Sequence, residues 1–468
     1  MSLNFVVNAL RLTRVELNQF KNVTHGEVVL ERAKRSMGGS MLALYGQNGS
    51  GKTALIDAIE LLKFVLSGRA IPTRFAHLIE TTKTTAMLAF DFLLETDDGA
   101  VSLFYEFSVS RDADEEGSDR IKVIGEKLAW SYALEDKSIR KTKIIDTYDS
   151  EKAFTPTVRL ATLAKGVRAQ DTLKNEISLL LKRQSLNEAG KSFVFSDDLL
   201  AATVEVAPNS TSDWQLIGAL LERMKKFARE ELFVISSRES SLIALDALIL
   251  AFNLETPNHS LHGKMPVNLT SHLIPVDLLP WLKESISNSN LVLGKLVPGL
   301  SIDVKELAPG VFENGVPGIY IQLLSRRKGQ EVCLQYESDG IKKIFSILHL
   351  LIAVYNKRTI TVAIDEIDSG IFEYLLGELL NLLSEKAKGQ IIFTSHNLRP
   401  LEMIDRRFIV FTTTNKTNRY SRLQNIKNTN NLRDVYYREV SLGDGEFYEH
   451  TNAIEIAHAF KSAWKRNG

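Results

Sequence analysis

The stretch GQNGSGKT, residues 46–53, follows an apolar run at Met41–Tyr45 and precedes a segment in which leucines and isoleucines recur at helical spacing. Its three glycines permit tight turns in which consecutive backbone N–H groups point inward, and such a concave loop suits a polyphosphate. The helix that follows adds its positive N-terminal end. A chance glycine-rich turn would not explain this strand and helix, so the sequence predicts a nucleotide-binding P-loop.

Two side chains of the P-loop have defined tasks. Lys52 is expected to reach the β- and γ-phosphates of ATP, and the hydroxyl of Thr53 is expected to bind Mg²⁺. ATP and Mg²⁺ are therefore the predicted cofactors. The predicted nucleotide contacts in the loop are Gly46, Asn48, Gly49, Ser50, Gly51, Lys52 and Thr53.

A second motif lies where the β-branched, uncharged run Thr359–Ile364 ends in Asp365 and Glu366. The carboxyl end of a parallel strand is where such a sheet binds its ligand. We expect Asp365 to hold Mg²⁺ and Glu366 to be the general base that orients the attacking water. Alone, an acidic pair after a strand could be an ordinary helix cap, but the P-loop favours the catalytic interpretation.

Two further positions complete the predicted site. His396 follows the strand-like run Gln390–Thr394 and is expected to hydrogen-bond the γ-phosphate or the attacking water. Ser338 and Gly340 open an apolar helix, and Ser338 is a good N-cap whose following N–H groups make a second anion site. A lone histidine or capping serine is usually structural, so it is the whole set that favours a functional role.

Taken together, these motifs resemble those of ABC-type ATPases. In that family a Ser-x-Gly signature at a helix N-terminus binds the γ-phosphate held by a partner subunit. The resemblance implies that Ser338 and Gly340 contact a partner's ATP, that Asp368 lies in the D-loop and that His396 is the switch histidine. It also implies a homodimer or higher homo-oligomer.

Within this class the chain is most similar to AAA-type ATPases of the OLD, RecF and SMC group, many of which serve in phage defence and abortive infection. The resemblance rests on the first 65 residues and on Glu331–Glu439. The signature is Ser-Asp-Gly rather than Ser-Gly-Gly. No glutamine lies between Gln47 and Gln170, so the usual Q-loop residue is missing and its replacement is not identified.

The alternation of strand and helix patterns predicts an α/β fold. We expect an ABC-type P-loop head of mixed and parallel sheet flanked by helices, with an antiparallel β subdomain and an inserted, mainly helical domain. Residues 1–150 would carry the P-loop and the antiparallel strands, and residues 151–290 the insert. Residues 291–468 would carry the signature, the acidic pair and the histidine.

Composition narrows the class of protein. The chain has 468 residues, and its 57 basic residues balance its 57 acidic ones, so no overall charge draws it to nucleic acid or membrane. The single cysteine, Cys333, excludes an internal disulfide and a thiolate-rich zinc site. The longest apolar runs are about a dozen residues, well short of the roughly 20 that span a bilayer. We therefore expect a cytoplasmic protein with no membrane partner.

Two functions remain open from the sequence. The first is the ATPase or sensor of an anti-phage defence system that controls a separate effector, a nuclease or toxin encoded nearby. The second is a RecF- or SMC-like repair ATPase that clamps on DNA, for which the basic run Lys416–Arg433 would suit a phosphate backbone. A transporter subunit is disfavoured by the 287 residues between Thr53 and Gly340, and a non-hydrolysing scaffold by the presence of Glu366.

Overall fold

The computed structural model describes residues 9–30, 39–96, 99–113, 119–134, 137–166, 172–205, 213–255, 260–423, 431–442 and 452–465. Within these ranges the strands are β1 (Leu10–Phe20), β2 (Val23–Val29), β3 (Ser40–Tyr45), β4 (Thr85–Thr96), β5 (Gly99–Ala113), β6 (Asp119–Leu134), β7 (Lys137–Asp146), β8 (Leu232–Ile235), β9 (Ala247–Glu255), β10 (Ser260–Asn268), β11 (His272–Pro275), β12 (Leu300–Val311), β13 (Pro317–Arg327), β14 (Gln330–Cys333), β15 (Thr361–Ile364), β16 (Gln390–Thr394), β17 (Ile409–Thr412) and β18 (Tyr420–Ser421).

The α-helices of the same ranges are α1 (Lys52–Leu66), α2 (Thr157–Gly166), α3 (Thr172–Glu188), α4 (Asp197–Glu205), α5 (Trp214–Lys226), α6 (Ser237–Ser240), α7 (Leu279–Leu296), α8 (Asp339–Asn356), α9 (Glu373–Lys386), α10 (Pro400–Met403), α11 (Leu432–Leu442) and α12 (Ala453–Lys465). Among the described residues, every helix is too short or too polar to cross a lipid bilayer.

The central sheet has the strand order β18-β17-β3-β16-β15-β8. All of its pairings are parallel except the one between β17 and β18. Its inner strands are short and fully buried, as expected of a parallel sheet covered on both faces. The carboxyl ends of β3, β15 and β16 therefore lie at one edge of the sheet, which is where the predicted site residues follow.

Alternate side chains of β3 enter two separate cores, because successive residues of a strand point to opposite faces. Leu42 and Leu44 pack in the core that contains α1 and the antiparallel sheet β2-β1-β4-β5-β6-β7. Met41 and Ala43 pack in the core that contains α8 and α9. A smaller antiparallel sheet, β11-β13-β12 with β14 at its edge, adds to this second core. The predicted α/β class with an antiparallel β portion is confirmed.

The prediction of one mainly helical insert over 151–290 is wrong in its second half. Helices α2 to α5 occupy the first half, but β8 pairs in parallel with β15 and is an edge strand of the central sheet. Strands β9 and β10 then form a hairpin. The sequence did not reveal β8 because an apolar run of four residues has too few positions for its period to separate strand from helix.

The helices α2 to α5 have no core of their own. Phe154, Leu163 and Trp214 belong to the same buried cluster as α1 and the antiparallel sheet. The Trp214 ring is 1% exposed and lies edge-on to Phe154, with centroids 5.8 Å apart. This part of the chain therefore shares its packing with the P-loop helix.

We expect Trp214→Ala to lower the free energy of unfolding of the whole chain by about 3–5 kcal/mol, the usual cost of deleting a buried large aromatic side chain. Because the core is shared, denaturation followed by circular dichroism should show one cooperative transition shifted to lower denaturant. Leu181→Ala, at a residue of α3 that is 59% exposed, is the matched control and should change stability little. A separate early transition that leaves the rest of the chain unaltered would contradict the shared core.

Candidate nucleotide-binding site

The P-loop connects β3 to α1, as the sequence predicts, and its backbone is closely packed. Gly46 has a φ of 153°, and a Cβ atom there would lie 1.9 Å from the hydroxyl oxygen of Thr412. Gly49 and Gly51 also have positive φ values, of 76° and 99°. A side chain at Gly46 would therefore displace either the loop or β17, which explains why this position is a glycine.

Lys52 is the first residue of α1 and is 5% exposed. Its ammonium donates hydrogen bonds to the carbonyl oxygens of Gly46 at 2.8 Å and Gln47 at 2.9 Å. Burial lowers the pKa of Lys52, and the nearby carboxylates of Asp365 and Glu366 oppose that shift. The positive charge is thus held by the carbonyl oxygens of the loop and interacts with the charges of the predicted magnesium and base residues.

Residues far along the chain support the loop. The Thr412 hydroxyl hydrogen-bonds the Ser50 hydroxyl and donates to the Tyr45 carbonyl oxygen at 3.1 Å. The Tyr420 hydroxyl donates to the Gly51 carbonyl oxygen at 2.9 Å. The Asn22 side-chain amide donates to the Gly49 carbonyl oxygen. These contacts engage the carbonyl oxygens of Gly49 and Gly51 and the hydroxyl of Ser50, and so fix the loop from outside. Asn48 is exposed, and Thr53 is half-buried in the first turn of α1.

Asp365 follows β15 directly and is 1% exposed. The Thr394 hydroxyl donates to its Oδ1 atom at 2.5 Å, and the Ser237 hydroxyl donates to its Oδ2 atom. A buried carboxylate needs such partners, because desolvation of an unpaired charge is costly. The carboxylate therefore keeps a fixed orientation at the sheet edge.

Glu366 is half-buried and has a φ of 50°, which is unusual for a residue with a side chain. Its backbone N–H donates to the Thr394 hydroxyl at 2.8 Å, so one threonine fixes both acidic residues. Strained backbone of this kind is concentrated at functional sites. The turn leaves Glu366 half-buried, while Asp365, the first residue after the strand, is buried.

Asp368 fixes the backbone around His396. Its Oδ2 atom accepts hydrogen bonds from the N–H groups of His396 at 2.9 Å and Asn397 at 2.8 Å. His396 is exposed, and its pKa is lowered by partial burial and then by the charge of Lys52. A lowered pKa favours the neutral imidazole, in which one ring nitrogen accepts a hydrogen bond and the other donates.

Ser338 caps α8, since its hydroxyl oxygen accepts a hydrogen bond from the Ile341 N–H at 3.4 Å. Ser338 itself is exposed, whereas Gly340 is buried against the segment after Asp368. A Cβ atom at Gly340 would lie 2.1 Å from the carbonyl oxygen of Gly370. The glycine therefore allows α8 to touch the loop that carries the acidic residues of the same chain.

The segment after β8 occupies the sheet position next to Asp365. Ser236 lies at the end of this strand, and Ser237 hydrogen-bonds the Asp365 carboxylate. Sequence reasoning missed Ser237, Thr394 and Thr412. The last two end the strands β16 and β17, so a search for hydroxyl residues at strand ends would have found them. Ser237 lies two residues beyond β8, a strand that the sequence did not reveal, and such a search would have missed it.

In the described part of the basic run Lys416–Arg433, the arginines contact other parts of the same chain. Arg419 is 4% exposed and donates to the carbonyl oxygens of Thr413 and Asn22. Arg422 donates to backbone carbonyls, and Arg433 pairs with Glu402 at 2.9 Å. These guanidinium groups hold the chain to itself. Lys427 lies outside the described residues.

The side chains fit Mg·ATP. Magnesium prefers oxygen ligands and is usually bound by one or two protein groups together with phosphates and water, which suits the Asp365 carboxylate and the Thr53 hydroxyl. The loop N–H groups, α1 and Lys52 suit the phosphates. Among the described residues there is no cluster of three or more His, Cys, Asp or Glu side chains able to hold a metal ion. A magnesium ion bound with ATP does not need one.

Residues 41–402 match the model of a protein family described as "AAA domain, putative AbiEii toxin, Type IV TA system". No curated protein matches the chain.

Similar solved structures include heads of SMC proteins. An SMC head bound to the C-winged helix domain of ScpA is 14% identical, with 88% of this chain and 97% of that chain covered and a TM-score of 0.37. An SMC head with an extended coiled coil, bound to the C-terminal domain of ScpA from Pyrococcus furiosus, is 16% identical, with 88% and 96% covered and a TM-score of 0.39. The SMC head domain from Thermotoga maritima is 15% identical, with 89% and 100% covered and a TM-score of 0.35.

We expect Lys52→Ala to weaken ATP binding by at least about 2 kcal/mol, because the phosphates lose a charge-assisted contact in a largely buried position. Titration with a fluorescent ATP analogue measures the change. Lys416→Ala, at an exposed lysine in the loop before β18, is the control and should bind as the wild type does. Equal affinity in Lys52→Ala would exclude this lysine as a phosphate ligand.

Proposed function

The chain belongs to the family of AAA domains whose model matches residues 41–402, and we propose that it hydrolyses ATP at the site formed by the P-loop, Asp365 and Glu366. The observation that carries the proposal is that the P-loop after β3 and the acidic pair after β15 lie at the same edge of the parallel sheet, with only β16 between the two strands. A phosphate-binding cation and a buried acid beside it are the two parts that phosphoryl transfer requires.

Each residue has one task in the proposed reaction. The loop N–H groups and Lys52 bind the phosphates, and Asp365 with Thr53 holds the magnesium ion. That ion supplies positive charge to the phosphate oxygens as negative charge develops on them. Glu366 orients the attacking water and accepts its proton, while neutral His396 hydrogen-bonds the water or the γ-phosphate. Asp368 keeps His396 in place through its backbone.

We expect Glu366→Gln to bind ATP with unchanged affinity and to hydrolyse it at least about a hundredfold more slowly, the usual effect of losing a general base. Phosphate release under saturating ATP measures the rate. If two chains enclose the nucleotide, the variant should also accumulate as an ATP-dependent dimer on size exclusion. If the variant hydrolyses ATP at the normal rate, Glu366 is not the general base, and His396 is the next candidate.

We further propose that two copies complete each other's sites. Ser338 is exposed at the start of α8, whose first N–H groups have no carbonyl partner in the preceding turn of the helix. Such a helix start is an anion site without an anion from its own chain. The γ-phosphate bound by a partner's P-loop is a suitable occupant, in a homodimer or a higher homo-oligomer.

Mixing two inactive variants tests catalysis across the interface. Ser338→Arg should block hydrolysis by placing bulk at the partner's γ-phosphate, and Lys52→Ala should block it by weakening ATP binding. A mixed dimer holds one site in which an intact P-loop faces an intact Ser338, so ATPase activity should partly return on mixing. Each variant alone is the control. If both chains co-assemble, as cross-linking would show, and no activity returns, the shared-site arrangement is wrong.

For the biological role we propose the ATPase or sensor of an anti-phage defence system that controls a separate effector, a nuclease or a toxin. The family description, which mentions a toxin and a type IV toxin–antitoxin system, supports a role of this kind. Phage plating on cells that carry the chain with its neighbouring genes, compared with Glu366→Gln, tests it. Equal plaque counts for wild type, variant and empty vector would contradict it. The internal contacts of Arg419 and Arg422 give the DNA-clamp alternative no support.

A further inference from the structure

The segment Ser236–Asp246, between β8 and β9, joins the magnesium-binding side of the proposed site to the helix that begins at Ser338. At its start, the Ser237 hydroxyl donates to the Asp365 carboxylate. The Ser241 hydroxyl donates back to the Ser237 carbonyl oxygen at 2.8 Å and closes the short helix α6. The start of the segment is therefore a compact helical turn that contacts Asp365 through Ser237.

Helix α8 holds the other side of this segment through two adjacent lysines. The Lys343 ammonium donates to the Ser240 hydroxyl at 2.5 Å. The Lys342 ammonium lies 3.9 Å from the carboxylate of Asp246, which ends the segment with a φ of 53°. Both lysines are at most 5% exposed. Two consecutive buried lysines are unusual, because an ammonium loses its hydration when it is buried.

Nearby carboxylates stabilise the positive charge of the buried Lys343 ammonium. Burial lowers its pKa to about 8, and the carboxylates that oppose this shift are Asp365, Glu366, Asp368 and Glu239. The first two are the proposed magnesium ligand and general base. An apolar side chain would fill the same space with no desolvation cost, so a packing role alone does not explain a lysine here.

We propose that Lys343 is a positioning residue for hydrolysis, and that the contacts Lys343–Ser240 and Ser237–Asp365, joined by the single helical turn α6, couple the start of α8 to the magnesium-binding carboxylate. This inference rests on the proposed function. It adds a physical link between two regions of one chain. The Asp365 region would act on the nucleotide bound by the same chain, and the start of α8 would contact the nucleotide bound by the partner. A shift of α8, when a partner's phosphate binds near Ser338, would move Ser240 and Ser237 and so change the orientation of Asp365.

The link can be tested first with two substitutions of Lys343 and one control substitution. Lys343→Met removes the ammonium and keeps the length of the side chain, and it should lower kcat about tenfold, the rate effect of losing one hydrogen bond to a charged group. The KM for ATP should change less than about twofold, because the P-loop is untouched. Lys343→Arg, which restores a cation, should recover most of the rate. Lys386→Met, at an exposed lysine of α9, is the matched control and should behave as the wild type.

A double-mutant cycle separates a link from independent effects. Ser240→Ala should lower kcat in the same direction as Lys343→Met, and the double variant should be no slower than the slower single variant. Ser237→Ala should raise the magnesium concentration needed for half-maximal activity severalfold at constant ATP. These serine variants also keep the test valid if Lys343→Met fails to fold, which a melting curve would reveal.

The outcomes distinguish this inference from the proposed function. If the wild type does not hydrolyse ATP, the proposed function fails. If the wild type hydrolyses ATP and a folded Lys343→Met keeps its kcat, only the positioning role of Lys343 fails. Multiplied rate losses in the Ser240→Ala, Lys343→Met double variant would likewise overturn the coupling, because they would show that the two residues act separately.

Discussion

The burial of the Asp365 carboxylate at the end of β15 is the constraint around which this protein is arranged. A carboxylate that is 1% exposed is stable only with hydrogen-bond donors and nearby cations. The donors come from β16 through Thr394 and from the segment after β8 through Ser237. The cations come from the P-loop through Lys52 and from α8 through Lys343. Four elements that are distant in sequence therefore have to meet at one sheet edge.

The parallel central sheet brings these elements together, because the carboxyl ends of its strands lie side by side and the residues that follow them are close in space. Its two faces are covered by different cores, one with α1 and the antiparallel sheet and the other with α8 and α9. A shift of either core relative to the sheet would change the distance between a cation and Asp365. Packing and site geometry are thus coupled, and the helices α2 to α5 take part because they share the first core.

The sequence alone predicted the parts of the site that are local. The P-loop, the acidic pair and the cap at Ser338 are contiguous motifs whose backbone conformation follows from a few neighbouring residues. It failed at β8, because four apolar residues carry no readable period. Nor does the sequence reveal the contacts of the basic run, since a guanidinium directed at a backbone carbonyl, as in Arg422, looks the same in sequence as one exposed to a phosphate. Ser237 was missed because its significance lies in a contact with a residue 128 positions away.

Support for the P-loop extends past the part of the chain that matches the family model. That match ends at residue 402, yet Thr412 and Tyr420 contact the loop directly, and Arg419 holds Asn22, which contacts Gly49. Strand β17 is therefore both the neighbour of β3 in the sheet and the outer wall of the phosphate loop. Tyr420 and Asn22 engage the carbonyl oxygens of Gly51 and Gly49. A phosphate-binding loop is local in sequence, but much of the surface that supports it is supplied by the C-terminal part of the chain.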